Sequence, residues 1–220
     1  ELKGFAILAI VFAHIGYYLA TDHRFLFPSS VSAGVGVNLF LFLSGYGLTH
    51  SLITKGTSIR DFYRKRVSRV LIPFWIVCVL FLISDALFLS IHYSTTTIWQ
   101  SFIGFFPKAN LYESLNAPFW YLTMILFYYI LYPLVFCRRF PFLSSLFLGV
   151  LGWIAVHTPL PVDEGVLASY RVPLLAFPIG AGIASLVMRS DVTNQPRFLK
   201  KITEFFRHHL FTSNVFRGGV

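Results

Sequence analysis

Two ionisable residues, Lys3 and His14, stand in the first apolar stretch of the sequence. An ionisable group inside a membrane span is costly and marks function by default. The two are eleven residues apart. Over that interval an α-helix returns to within about 20° of its starting direction and rises about 16.5 Å. One helix face is thus predicted to carry Lys3 at the inner mouth of the span and His14 past mid-membrane. Tyr17 and Tyr18 extend that face outward. Imidazole takes up a proton near neutral pH, so His14 suits removal of the proton from an attacking hydroxyl. The plain alternative is a buried histidine bonded to a neighbouring helix.

A second group is the basic run Tyr63-Arg64-Lys65-Arg66-Val67-Ser68-Arg69, which leads into Pro73-Phe74-Trp75. On a helix Arg66 and Arg69 are three apart and face the same way. Guanidinium forks suit phosphate oxygens, which would fit a phosphorylated cytoplasmic donor. Basic residues ahead of a span are also what topology demands. Gly36, Gly45 and Gly47 read better as helix-packing notches than as a phosphate cradle, since no strand precedes them. Asn38, inside the same apolar stretch, needs a partner, and His14 is one possibility. The seven histidines show no metal-ligand spacing with acidic residues, and Ser44 lacks the first glycine of a nucleophile elbow.

Positioning such groups requires helices in a membrane. Hydrophobic residues make up 56% of the 220 and charged residues only 12%. A soluble domain carries about 25% charged residues. Cys78 and Cys137 lie in apolar runs and form no disulfide framework. Six spans are predicted at 2–20, 34–54, 69–91, 119–137, 142–157 and 169–188, the fifth being short. With Lys3 placed in the cytoplasm, 15 of the 18 Lys and Arg fall on the inner side, leaving Arg24, Lys108 and Arg171 outside. The net charge of +9 is thereby explained by the positive-inside rule, without nucleic acid. The fold class predicted is all-α, a polytopic bundle of about six spans in the inner or plasma membrane. The organisation predicted is a transmembrane domain over 1–190 and a cytoplasmic amphipathic tail or connector over 191–220. In that tail basic and aromatic residues alternate from 196 to 210. The chain reads as a fragment that starts at the edge of its first span, with an uncleaved anchor rather than a signal peptide.

In this order the features resemble the acyltransferase 3 family of integral-membrane acyltransferases, which includes bacterial O-acetylases of cell-surface polysaccharides. Lys3 and His14 match its opening motif of a basic residue, ten others and histidine. The stretch from Asn38 through Ser44, Gly45 and Leu48 is similar to its second-span signature, with Asn38 where Asp is frequent. Arg66 and Arg69 match its Arg-x-x-Arg segment, while Trp120-Tyr-Leu, Tyr129, Pro133, Tyr170-Arg171-Val-Pro and Gly180 resemble later segments. Ile125 and Leu126 stand where many O-acetylases carry an acidic pair. The resemblance implies about ten spans in the whole family domain and no permanently bound cofactor. It implies an acyl-CoA donor, usually acetyl-CoA, with phosphates near Arg64, Arg66 and Arg69. The acceptor it implies is an extracytoplasmic sugar hydroxyl, with His14 and Lys3 in the catalytic path. Ser44, Asn38, Trp120 and Arg171 join the binding set. A transporter or flippase using His14 and Lys3 in a substrate or proton path is the competing prediction.

Overall fold

The computed structural model describes residues 2–18, 23–108, 115 and 119–189. The side chains of residues 2–3, 13–14, 16–18, 23–33 and 189 fall outside the described set. Helices dominate, with no strand among the described residues. They are α1 (Leu2–Tyr18), α2 (His23–Lys55), α3 (Ile59–Arg66), α4 (Ile72–Ser84), α5 (Thr95–Ile103), α6 (Trp120–Val135), α7 (Pro141–His157), α8 (Glu164–Arg171) and α9 (Ala176–Arg189). In lipid an unpaired backbone amide costs several kcal/mol, and a helix satisfies its amides within one segment.

Among the described residues, three stretches are long and apolar enough to cross a membrane: Gly34–Lys55, Ile59–Leu89 and Glu164–Met188. The apolar helices α6 and α7 are shorter, at 16 and 17 residues. Their rise of about 24–26 Å falls short of a typical hydrocarbon core. Several bounds differ from the sequence reading, and the third span starts at Ile59, ten residues before the predicted Arg69. The second helix begins at His23, eleven residues before the predicted start at Gly34, and runs 33 residues without a break. The sixth span is divided at residues 172–175 into α8 and α9. Pro173 brings no N–H to the helix ladder, and the chain passes through a turn in which Ala176 N donates to the Pro173 carbonyl (3.0 Å).

Local chemistry sets the ends. Ser58 caps α3, its hydroxyl accepting from Asp61 N (3.2 Å) and donating to the Asp61 carboxylate (2.8 Å). Ser94 caps α5 through Thr97 N (3.1 Å). Gly104 ends α5 at φ +77°, a left-handed conformation that glycine adopts without a Cβ clash. Between α3 and α4 the helix widens into a π turn, Val67–Leu71. Pro73 follows directly and withdraws a donor from the α ladder, and the Ile72 amide bonds five residues back, to Val67.

The core lies where α2, α6 and α9 meet. Tyr128, Tyr132 and Phe177 are fully buried. The Tyr128 and Phe177 rings stack at 4.7 Å and 2°. α2 and α9 cross at two glycines: a Cβ on Gly45 would collide with the Phe177 carbonyl, and one on Gly180 with the Phe42 carbonyl. Gly36 is the matching notch for α1, since a Cβ there would meet the Ala6 carbonyl at 2.9 Å. Gly45 and Gly36 therefore act as the packing notches expected of them, whereas Gly47 faces open space.

Candidate active site

The basic run falls on one continuous arginine-bearing helix. Its first turns hold Arg60, Arg64, Lys65 and Arg66, and Arg69 sits inside the π turn. Arg66 is half-buried. Its guanidinium lies 4.7 Å from the centroid of the Tyr129 ring and 5.4 Å from that of Phe62. Two aromatic faces thus hold the planar fork while its edge N–H groups stay available for an anion. Tyr63 fastens the same turn to α6 by donating to the Ile130 carbonyl (2.7 Å). Arg64 and Arg69 are exposed. Arg66 and Arg69 therefore differ in setting, one gripped and one free-standing, where the sequence reading had them acting alike. The π turn between them changes the angular step, so three residues no longer repeat the α-helical direction.

Further positive charge gathers at this end. Arg138, just past α6, donates to the Ile53 carbonyl (3.0 Å) near the C-terminus of α2. Lys55 ends α2, and Arg139 lies over the Phe140 ring (5.4 Å). A cation at a helix C-terminus also complements the helix dipole.

α1 lies along the other half of α2. The four residues between the helices make the pair antiparallel. Ala6, Ala9 and Ile10 face Gly36, nineteen residues before Lys55 and about 28 Å away along the helix. The Lys3 backbone is within one turn of Ala6, so it lies level with the middle of α2 and apart from the Arg66 end. His14 is two turns further off in the opposite direction. The side chains of both residues, and the tail at 196–210, lie outside the described residues.

Asn38 has a partner within its own helix, its side-chain amide donating to the Gly34 carbonyl (2.8 Å). The suggested bond to His14 is not needed to satisfy that donor. Ser44 is buried on α2 beside the α2–α9 crossing. Trp120 is half-buried at the start of α6, its ring 6.0 Å from that of Tyr170. Arg171 is exposed at the end of α8. Arg171 and Trp120 thus occupy the end of the bundle opposite the arginine-rich helix.

The sequence reading missed a set of interior hydroxyls. Thr49 donates to the Gly45 carbonyl (2.9 Å) and shares a 2.5 Å hydrogen bond with the Tyr132 hydroxyl. The Tyr128 hydroxyl donates to the Leu174 carbonyl freed at the α8–α9 break. The Tyr121 hydroxyl is buried without a hydrogen-bond partner among the described residues, and the buried Tyr170 hydroxyl lies beside that of Thr123. For α6 the signal was present as tyrosines at 121, 128 and 132, spaced one to two turns apart.

No curated protein and no solved structure matches this chain. The family model of acyltransferase 3, described as an acyltransferase domain, matches residues 2–202. A match of that extent takes in α1, the arginine-bearing helix and α6 through α9 together, and the chain belongs to the acyltransferase 3 family of membrane acyltransferases.

Proposed function

We propose that the protein moves an acyl group, acetyl in the simplest case, from cytoplasmic acyl-CoA to a hydroxyl of an extracytoplasmic polysaccharide or related glycan. Family membership supports a transferase over a transporter or flippase. The observation that carries the donor assignment is the grip of Tyr129 and Phe62 on Arg66 within a cluster of positive charge at one end of the bundle. Pre-ordered guanidinium suits the diphosphate of a CoA ester, with Arg69 and Arg64 adding mobile charge. In this reading His14 accepts the proton of the acceptor hydroxyl as its oxygen attacks the thioester carbon. The carbon–sulfur bond then breaks, and the CoA thiolate leaves and takes up a proton. Lys3 belongs to the polar path that serves His14. Trp120 and Arg171 contact the acceptor from the outer end, and Ser44 and Asn38 line the binding region. The protein lies in the inner or plasma membrane with its N-terminus in the cytoplasm, and its partners are the bilayer, acyl-CoA and the glycan.

The test is to supply membranes containing the protein with acetyl-labelled acetyl-CoA and to fractionate the cell envelope. Label is expected in an alkali-labile ester on the glycan fraction. Label absent from every envelope fraction would overturn the reading.

A further inference from the structure

The span Ile59–Leu89 is met by α5, which doubles back along the half of it that lies away from Arg66. Two contacts fix this pairing. Tyr93, just before α5, donates to the Asp85 carboxylate (2.7 Å), and Trp75 Nε1 donates to the Phe102 carbonyl (2.8 Å) near the end of α5. Asp85 and Trp75 are ten residues apart, so α5 returns about 15 Å down the span. Phe106 then packs against Phe74, with ring centroids 5.9 Å apart.

The backbone that follows α5 is irregular but held in place. Phe105 N donates to the Gln100 carbonyl (2.9 Å), and Asp163 N donates to the Pro107 carbonyl (2.8 Å). Thr123 of α6 accepts from Phe106 N and donates to the Gly104 carbonyl, both at 2.9 Å. Trp75, which marks the level of this loop, is nine residues and about 13 Å beyond Arg66 along the span.

The two sides of α5 differ in chemistry. Trp99 and Ile103, one turn apart, are exposed and apolar, as are Leu80, Ile83 and Leu87 on the span beside them. In a membrane protein such a surface faces lipid. Thr97 and Ser101 take the opposite side, and with Gln100, Phe105 and Lys108 they line a partly open pocket of about 100 Å3. That is room for about three waters. Irregular backbone at membrane depth occurs only where protein or water surrounds it, and an exposed ammonium such as that of Lys108 avoids lipid. The Thr97 and Ser101 hydroxyls are used locally, on Ser94 and on the Thr97 carbonyl. The Gln100 amide can both donate and accept, and the Lys108 ammonium has three donors, so one partner does not exhaust it.

We infer that this pocket is the foot of a water-filled inlet from the outer face and that it binds a hydroxyl-rich acceptor. Gln100 exchanges hydrogen bonds with an acceptor hydroxyl, and Lys108 donates to a second oxygen. The identity of the ligand rests on the acyl-transfer reading above, whereas the inlet itself does not.

The test uses the full chain with Cys137→Ser, in right-side-out vesicles treated with an impermeant methanethiosulfonate. Gln100→Cys and Lys108→Cys should react about tenfold or more faster than Ile103→Cys, because thiol reactivity follows access to water. A bimane on Ile103→Cys should be quenched more by lipids brominated at mid-chain than by lipids with a headgroup quencher. Complete modification of Lys108→Cys should lower transfer to the glycan fraction about tenfold or more relative to the treated parent, with acetyl-CoA affinity unchanged. Three results would each overturn the inference. One is reaction of Lys108→Cys no faster than that of Ile103→Cys. Another is stronger quenching from the headgroup, which would make α5 a surface helix. The third is transfer equal to the parent's after complete modification. A parent that transfers nothing would instead defeat the acyl-transfer reading, and labelling and quenching would still decide the inlet.

Discussion

Charge and hydroxyl chemistry at single residues carry the most direct tests. His14→Ala should lower acyl transfer by about a hundredfold or more while membrane insertion persists, because general bases contribute that much to such steps. Undiminished transfer to the glycan fraction would remove His14 from the base role. Arg66→Lys keeps the charge but loses the planar fork that lies on Tyr129. The dissociation constant for acyl-CoA should rise about tenfold, against a smaller change for Arg69→Lys at its exposed position. Equal effects would mean that the aromatic grip on Arg66 is irrelevant to the donor. Beyond the spans, Tyr93 donates to the Asp85 carboxylate (2.7 Å). Burial first, and then that bond and the nearby negative charge, push its phenol up to about 12. The folded pKa lies above the unfolded value near 10, so the contact stabilises fully below pH 10 and is lost as pH climbs toward 12. The ultraviolet difference between the wild type and Tyr93→Phe should show one phenol ionising late. Ionisation near pH 10 would contradict the contact.

Among the helices, the crossing of α2 and α9 is the tightest joint, because each presents a glycine to the other's carbonyl. Gly45→Ala and Gly180→Ala place a methyl group against backbone, which cannot move as a flexible side chain can. Each should destabilise by about 1–3 kcal/mol, read as a lower midpoint of thermal inactivation, while Gly47→Ala should be near neutral. Thr49→Val strands the Tyr132 hydroxyl in the core and should cost a similar amount. The helical state of these stretches was readable in advance, since long apolar runs have one stable local form in lipid. Their joints were not. Gly36, Gly45 and Gly47 look alike in sequence, and only two of them meet a neighbour. The break at residues 172–175 was hidden as well: Pro173 allows a kink, but the Tyr128 hydroxyl on another helix is what satisfies the opened backbone at Leu174.

Across the whole molecule the question is which side each end faces. Arg138 bonded near Ile53, together with Lys55 and the start of α3, brings basic residues from three stretches of the chain to one end. Cys137 is exposed beside Arg138, and Cys78 is buried. An impermeant maleimide should therefore label inside-out vesicles at Cys137 and leave right-side-out vesicles unlabelled. The reverse pattern would invert the topology and move the donor site to the wrong compartment.

The class of the molecule was determined by linear order. Scarce charge and long apolar runs require no knowledge of what packs against what, since the cost of a bare amide or a stray cation in lipid is local. The motif order from Lys3 to Gly180 was enough to reach the family that the match over residues 2–202 establishes. Tertiary structure alone decided that Asn38 bonds Gly34, that Arg66 rather than Arg69 lies on Tyr129, and that Thr49 bonds Tyr132. The arginine grip and the Thr49–Tyr132 bond join residues dozens of positions apart, and the choice among several acceptors at Asn38 depends on the surrounding packing. Such contacts follow from how helices cross, which no periodicity within one helix encodes.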